Sequence, residues 1–96
     1  MSYFRLSLTT PREGALAEVE RIERELLAFF RTRPGFQRGF RLTAEDRVGR
    51  ATVWNSEADA DHAANQQHTL SLRSRLMQLV EEDMELAFEG EEILPV

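Results

Sequence analysis

The chain has 96 residues, a formal net charge of -5 and a mean hydropathy of -0.44, which predicts one domain over residues 1–96 with a modest core. The acid excess argues against bulk attraction to nucleic acid, and the lack of cysteine excludes disulfides, thiolate metal sites and cysteine nucleophiles. All 12 basic residues are arginine, which excludes a lysine Schiff base. No apolar run is long enough to span a bilayer and no leader is evident, so a soluble, cytoplasmic protein is expected, with no membrane partner.

Tyr3 to Thr9 alternates, with Phe4, Leu6 and Leu8 on one parity and Tyr3, Arg5 and Ser7 on the other, which predicts a half-buried strand. Thr10, Pro11 and Glu13 carry the signals of a helix start: a capping hydroxyl, a proline suited to the first turn, and an acid that reaches back to the cap. From Ala15 to Arg31, Leu16, Val19, Ile22, Leu26, Phe29 and Phe30 recur at helical spacing, and Glu20 and Arg24 are placed to pair on its surface. Pro34 and Gly35 end this helix. Phe36 to Thr43 alternates again, with Phe36, Phe40 and Leu42 on one parity; Ala44 to Asp46 reads as a hairpin loop, and Arg47 to Asn55 as the returning strand. Gly39 and Gly49 inside these strands point to a bulge or a close backbone approach. Ser56 caps the next helix, Asn65 to Gln67 breaks or kinks it, and Leu70 to Val80 continues with a wide apolar stripe. Met84, Leu86 and Phe88 alternate with Glu85, Ala87 and Glu89 as a last strand, which Gly90 bends, and Ile93, Leu94 and Val96 form an apolar tail.

The order β-α-β-β-α-β predicts a ferredoxin-like α+β domain, with four antiparallel strands in one sheet and both helices on one face. The strands carry apolar residues on both parities, so a second copy is expected to cover the face without helices, giving a homodimer in which the tail reaches the partner.

Val53 and Trp54 at a strand end, Ser56-Glu57-Ala58 opening a helix, then His68 and the helix from Leu70 to Leu76, resemble the antibiotic-biosynthesis-monooxygenase-like domains of the dimeric α/β-barrel superfamily. The resemblance covers nearly the whole chain. It implies a dimeric α/β barrel with a ligand cavity between the sheet and the helices of each subunit, and Trp54 near that cavity. The activities it implies range from cofactor-free oxidation of aromatics by dioxygen to haem degradation, and many members have none known. The first strand offers Tyr3, Arg5 and Ser7 and lacks the asparagine of haem-degrading members.

The expected function is therefore a cofactor-independent monooxygenase acting on an electron-rich aromatic small molecule. The alternatives are a haem or small-ligand binding module and a non-catalytic structural dimer. No metal or cofactor is expected, since there is no carboxylate-histidine triad and no dinucleotide fingerprint. A substrate that forms a stabilised carbanion or phenolate passes an electron to dioxygen itself. The protein then has to remove a proton, hold the anion and exclude water. His68 is the candidate base, because imidazole titrates near neutrality. Trp54 would stack on the ring, Asn55 or Arg41 would stabilise the anion, and Tyr3, Arg5 and Arg41 would grip an acidic or phenolic ligand. Each also has a plainer reading: Trp54 as a core residue with its indole nitrogen satisfied, Asn55 as a turn former, the histidines as exposed or capping groups, and Tyr3, Arg5 and Arg41 as partners of acids across a dimer interface. His62 and His68 fall on different faces of one helix at their spacing, so they are not expected to share a metal.

Overall fold

The structure, a computed structural model, describes residues 1–94. Its elements are β1 (Ser2–Pro11), α1 (Leu16–Phe30), β2 (Phe36–Ala44), β3 (Arg47–Trp54), α2 (Glu57–Ala64), α3 (Gln67–Leu79) and β4 (Val80–Gly90). The strands form one sheet in the order β2-β3-β1-β4, with every neighbouring pair antiparallel. This is the ferredoxin-like α+β arrangement that the order of elements predicts. Glu45 turns the β2–β3 hairpin at a positive φ of 56°, so the loop is only the two residues between the strands.

The core lies between the sheet and the helices. Val19, Ile22, Leu26 and Phe30 of α1 are buried against Val48 and Trp54 of β3, Tyr3 of β1, Ala60 and Ala63 of α2, and Leu76 of α3. Each large apolar side chain removed from water in this way contributes about 1.5–3 kcal/mol. Ser56 caps α2 by accepting a hydrogen bond from the Asp59 amide at 3.1 Å. The expected interruption at Asn65 is a full break, with Gln66 extended between α2 and α3, so His62 and His68 stand on separate helices. The Thr69 hydroxyl donates to the Ala63 carbonyl at 2.8 Å and ties the two helices together inside the core.

Three expectations are corrected. Thr10 and Pro11 do not start α1: they extend β1, Arg12 donates its amide to the Leu79 carbonyl, and α1 begins after Ala15, which makes no side-chain cap. Pairing with β4 satisfies this backbone, so the chain stays extended past the local helix signal. Glu20 does not pair with Arg24; it reaches the sheet and binds Arg41 at 2.8 Å. Phe36 does not share a face with Phe40 and Leu42, because a register shift between Phe36 and Arg38 reverses the alternation. Gly49 is a site of close approach, since a Cβ there would overlap the Ser7 carbonyl on β1.

The two faces of the sheet differ in kind. Tyr3, Ser7 and Thr9 of β1 and Val48, Arg50, Thr52 and Trp54 of β3 are buried on the helix side. Phe4, Leu6 and Leu8 lie on the other side, level with Phe88, Leu86 and Met84 of β4. On that helix-free face Phe40, Met84, Leu86 and Phe88 are exposed, and Phe4 stacks on Phe88 with centroids 5.4 Å apart. Ile93 and Leu94 of the tail are also exposed, while Pro95 and Val96 lie outside the described residues.

Candidate active site

The strand register aligns the helix-side residues in rows. One row holds Phe36, Trp54, Tyr3 and Glu89; the next Gly39, Thr52, Arg5 and Ala87; the next Arg41, Arg50, Ser7 and Glu85. The third row is polar across all four strands, and helix residues answer it: Glu20 of α1 pairs with Arg41, Glu23 of α1 with Arg50, and Arg73 of α3 with Glu85 at 2.6 Å. Arg5 in the second row pairs with Asp61 of α2 and lies 5.3 Å from the Tyr3 ring centroid. The helices cover β1 and β3 but not β4, where Asp83, Glu85, Ala87 and Glu89 are exposed. The Arg5–Asp61 and Arg73–Glu85 pairs join α2 and α3 to this β1–β4 side of the sheet.

The deepest charged group is Glu23, at 0% exposure, and Arg50 beside it is at 8%. Both Glu23 carboxylate oxygens accept from Nη1 of Arg50, at 2.9 and 3.1 Å. Burial holds the Glu23 carboxyl above the ordinary carboxylate range, and the charge and hydrogen bonds of Arg50 offset only part of that. Asp83 is shifted upward too, first by burial and then by the nearby Glu85 charge, against the pull of Arg73, Arg50 and Ser7. For Arg5, burial works against the charge, but Tyr3 and Asp61 outweigh it and raise its pKa.

The residues singled out in the sequence divide into two groups. Tyr3 and Trp54 face one another across β1 and β3, Arg5 stands beside Tyr3, and Asn55 shares with Tyr3 a depression of about 150 Å³. Trp54 is 1% exposed, wrapped edge-on by Phe30 and Phe36, and its indole nitrogen donates to the Thr52 hydroxyl at 2.9 Å. Asn55 is exposed; its amide donates to the Gly35 carbonyl and its side chain accepts from Gln37 at 2.8 Å. Arg41 and His68 are not gathered with them. Arg41 is engaged by Glu20 at the outer side of α1, and the exposed His68 lies against Phe29 with ring centroids 4.7 Å apart. Tyr3, Arg5 and Arg41 point toward the helices, which corrects their placement at a partner's sheet. No group of three metal-binding side chains occurs among the described residues. A larger depression of about 330 Å³ opens on the helix-free face beside Phe4, Arg38, Phe40, Val53 and Glu91.

Sequence reasoning passed over Glu23 and Arg50. A signal existed: Glu23 falls within the stripe formed by Val19, Ile22, Leu26 and Phe30, and Arg50 shares the parity of Val48, Thr52 and Trp54. A charge on a buried helix arc and another on a buried strand face are expected to meet.

Among solved structures, two of SnoaB, a cofactor-independent oxygenase from Streptomyces nogalater, superpose on 99% of this chain. One has a TM-score of 0.86 at 24% identity over 98% of its own chain, the other 0.81 at 26% over 97%. The chain has the antibiotic-biosynthesis-monooxygenase-like fold of the dimeric α/β-barrel superfamily. The same fold is shared with a proposed antibiotic biosynthesis monooxygenase from Nitrosomonas europaea, at a TM-score of 0.85 and 15% identity over 93% of this chain and 89% of that one. No protein-family model matches the sequence, and no curated protein matches it. Within this monooxygenase-like fold, no helix among the described residues is long and apolar enough to cross a membrane.

Proposed function

We propose that the protein is a cytoplasmic, homodimeric, cofactor-independent monooxygenase for an electron-rich aromatic small molecule. The observation that carries this is the end-to-end likeness to SnoaB, a cofactor-independent oxygenase, at 24% and 26% identity. The site lies on the helix side of the sheet around Tyr3, Arg5 and the depression that Tyr3 shares with Asn55. Tyr3 and Arg5 grip the ligand's oxygen substituents, Asn55 holds its position at the rim, and Trp54 forms the wall behind Tyr3.

The substrate supplies the electrons. The enzyme lowers the cost of the anion that gives them up, and the reaction requires no metal or flavin. Oxygen uptake by metal-free protein with a panel of dihydroxynaphthalenes and anthrone-like compounds tests this. At least one compound is expected to be consumed faster than without protein; a panel left unoxidised counts against the reading. Replacing Tyr3 by Phe or Arg5 by Gln, the residues proposed to grip the ligand, should mainly weaken binding. One observation favours a second reading, a non-catalytic dimer: Trp54 is 1% exposed and enclosed by Phe30 and Phe36. An inert panel would leave that reading in place.

A further inference from the structure

We propose that Gln37 is a positioning residue for the candidate site: it holds the Asn55 side chain so that Asn55 meets a ligand with its amide N–H group, which selects an uncharged hydrogen-bond acceptor at that end of the ligand. The inference rests on the reading that a ligand occupies the depression shared by Tyr3 and Asn55, and it specifies the chemistry of the group recognised there.

A β-bulge aims Gln37. Phe36 pairs with Trp54 and Arg38 with Val53, so Gln37 is the extra residue of β2 and has no partner on β3. A bulge gives up regular pairing and redirects a side chain. Here the redirected side chain meets two others at the end of the sheet. The Ser2 hydroxyl donates to the Gln37 carbonyl oxygen at 3.2 Å, and the Gln37 amide nitrogen donates to Oδ1 of Asn55 at 2.8 Å. The Asn55 main chain is fixed from the same stretch, since its N–H donates to the Gly35 carbonyl at 2.8 Å. Gly35 has a positive φ of 83°, and a Cβ there would overlap the Asp59 carboxyl of α2. The segment from Gly35 to Gln37 therefore holds both the backbone and the side chain of Asn55.

An asparagine side chain accepts at one end and donates at the other, so its neighbours decide which end a ligand meets. With Oδ1 taken by Gln37, Nδ2 is the end of Asn55 with no protein acceptor among the described residues. Gln37 lines the depression on the helix-free face, whereas Asn55 lines the one beside Tyr3, and Ser2 lines both. Asn55 is thus held from one side of the sheet end and open on the other. The charged side chains lining the Tyr3 depression are Glu57 and Glu89. They repel an anion, so the acceptor that suits the Asn55 donor is uncharged, as a carbonyl oxygen is. An anionic oxygen of the same ligand is better placed beside Arg5, in the next row of the sheet.

The test compares two uncharged bicyclic probes, titrated into the full chain by calorimetry. One is 1-tetralone, whose carbonyl only accepts; the other is 1-aminonaphthalene, whose amino group mainly donates. The readout is the ratio of the two affinities, because a change in fold or association affects both probes alike. The parent is expected to favour tetralone by at least ~5-fold, the size expected of one hydrogen bond. Gln37→Glu keeps the side-chain size but only accepts, so Asn55 must turn Nδ2 toward it and offer Oδ1 to the ligand; the ratio should invert. Gln37→Met releases Asn55, and the ratio should fall toward one, as it should in Asn55→Ala. Gln37 and Asn55 are exposed, so these variants are expected to fold. The Asn55 side-chain amide signals in nitrogen–proton NMR spectra should shift when tetralone is added to the parent and stay in place in Gln37→Glu. A parent with no preference, no binding of either probe at millimolar concentration, or a ratio unchanged in Gln37→Glu and Gln37→Met overturns the proposal. A ratio that follows residue 37 without oxygen uptake from the phenol panel keeps the positioned donor and removes the oxygenase. Uptake with a ratio indifferent to residue 37 does the reverse.

Discussion

Glu23 and Asp83 hold their protons more tightly than ordinary carboxylates because the fold takes them partly or wholly out of water. In the unfolded chain that penalty is absent. As pH rises past the ordinary Glu value of 4.5, the unfolded state releases its proton first. The folded state keeps its proton until the raised pKa is reached. The contribution of Glu23 to stability is therefore fully present on the acid side of 4.5 and falls as pH climbs through the folded-state pKa. Urea midpoints of the parent and of Glu23→Gln, measured from pH 4 toward neutrality, isolate this term by difference. The parent is expected to lose ground to the variant as pH rises; a difference that is flat or of opposite sign contradicts the assignment. Arg41 shows how a plausible ligand-gripping residue is diverted, since its charge is already answered by Glu20.

Among the elements, β1 and β3 carry the site, and their spacing depends on Gly49. The Ser7 carbonyl occupies the volume a side chain would need there, and Ser7 is the residue opposite Arg50. Gly49→Ala is expected to cost about 3 kcal/mol of folding stability, by forcing two central strands apart. Thermal or urea unfolding reads this directly, and a loss well under about 1 kcal/mol would mean that the strands yield without strain. The bulge at the start of β2 has a comparable role. It turns Phe36 toward Trp54 while Phe40 and Leu42 stay on the helix-free face, so one strand serves both sides of the sheet.

Across the whole molecule, the largest unanswered feature is the helix-free face. Its centre is apolar, with Phe40, Met84, Leu86 and Phe88 all exposed. The register puts Arg38 and Arg47 on its β2–β3 side and Glu82 on its β4 side, with Glu91 just beyond β4. Two copies related by a two-fold axis can set the basic edge of each against the acidic edge of the other while burying the apolar centre. Sedimentation equilibrium at micromolar concentration is expected to give a dimer. Leu86→Glu, which places a charge in the middle of that face, should weaken it ~100-fold or more while the monomer stays folded. A monomeric parent would remove the dimer from the proposal without touching the helix-side site.

The sequence by itself determined the order of elements, the hairpin, the Ser56 cap and the break before α3. Those signals are local: alternation of period two, helical spacing, and turn or capping residues read within a few positions. Only the tertiary structure decided which parity of each strand faces the helices. Alternation defines two faces but does not say which one the crossover helices land on, and here they cover the more polar one. The start of α1 was likewise settled by backbone pairing between β1 and β4, which overrode Thr10 and Pro11. The Glu23–Arg50 pair joins residues 27 positions apart. Its burial does not exist until the sheet and helices pack together.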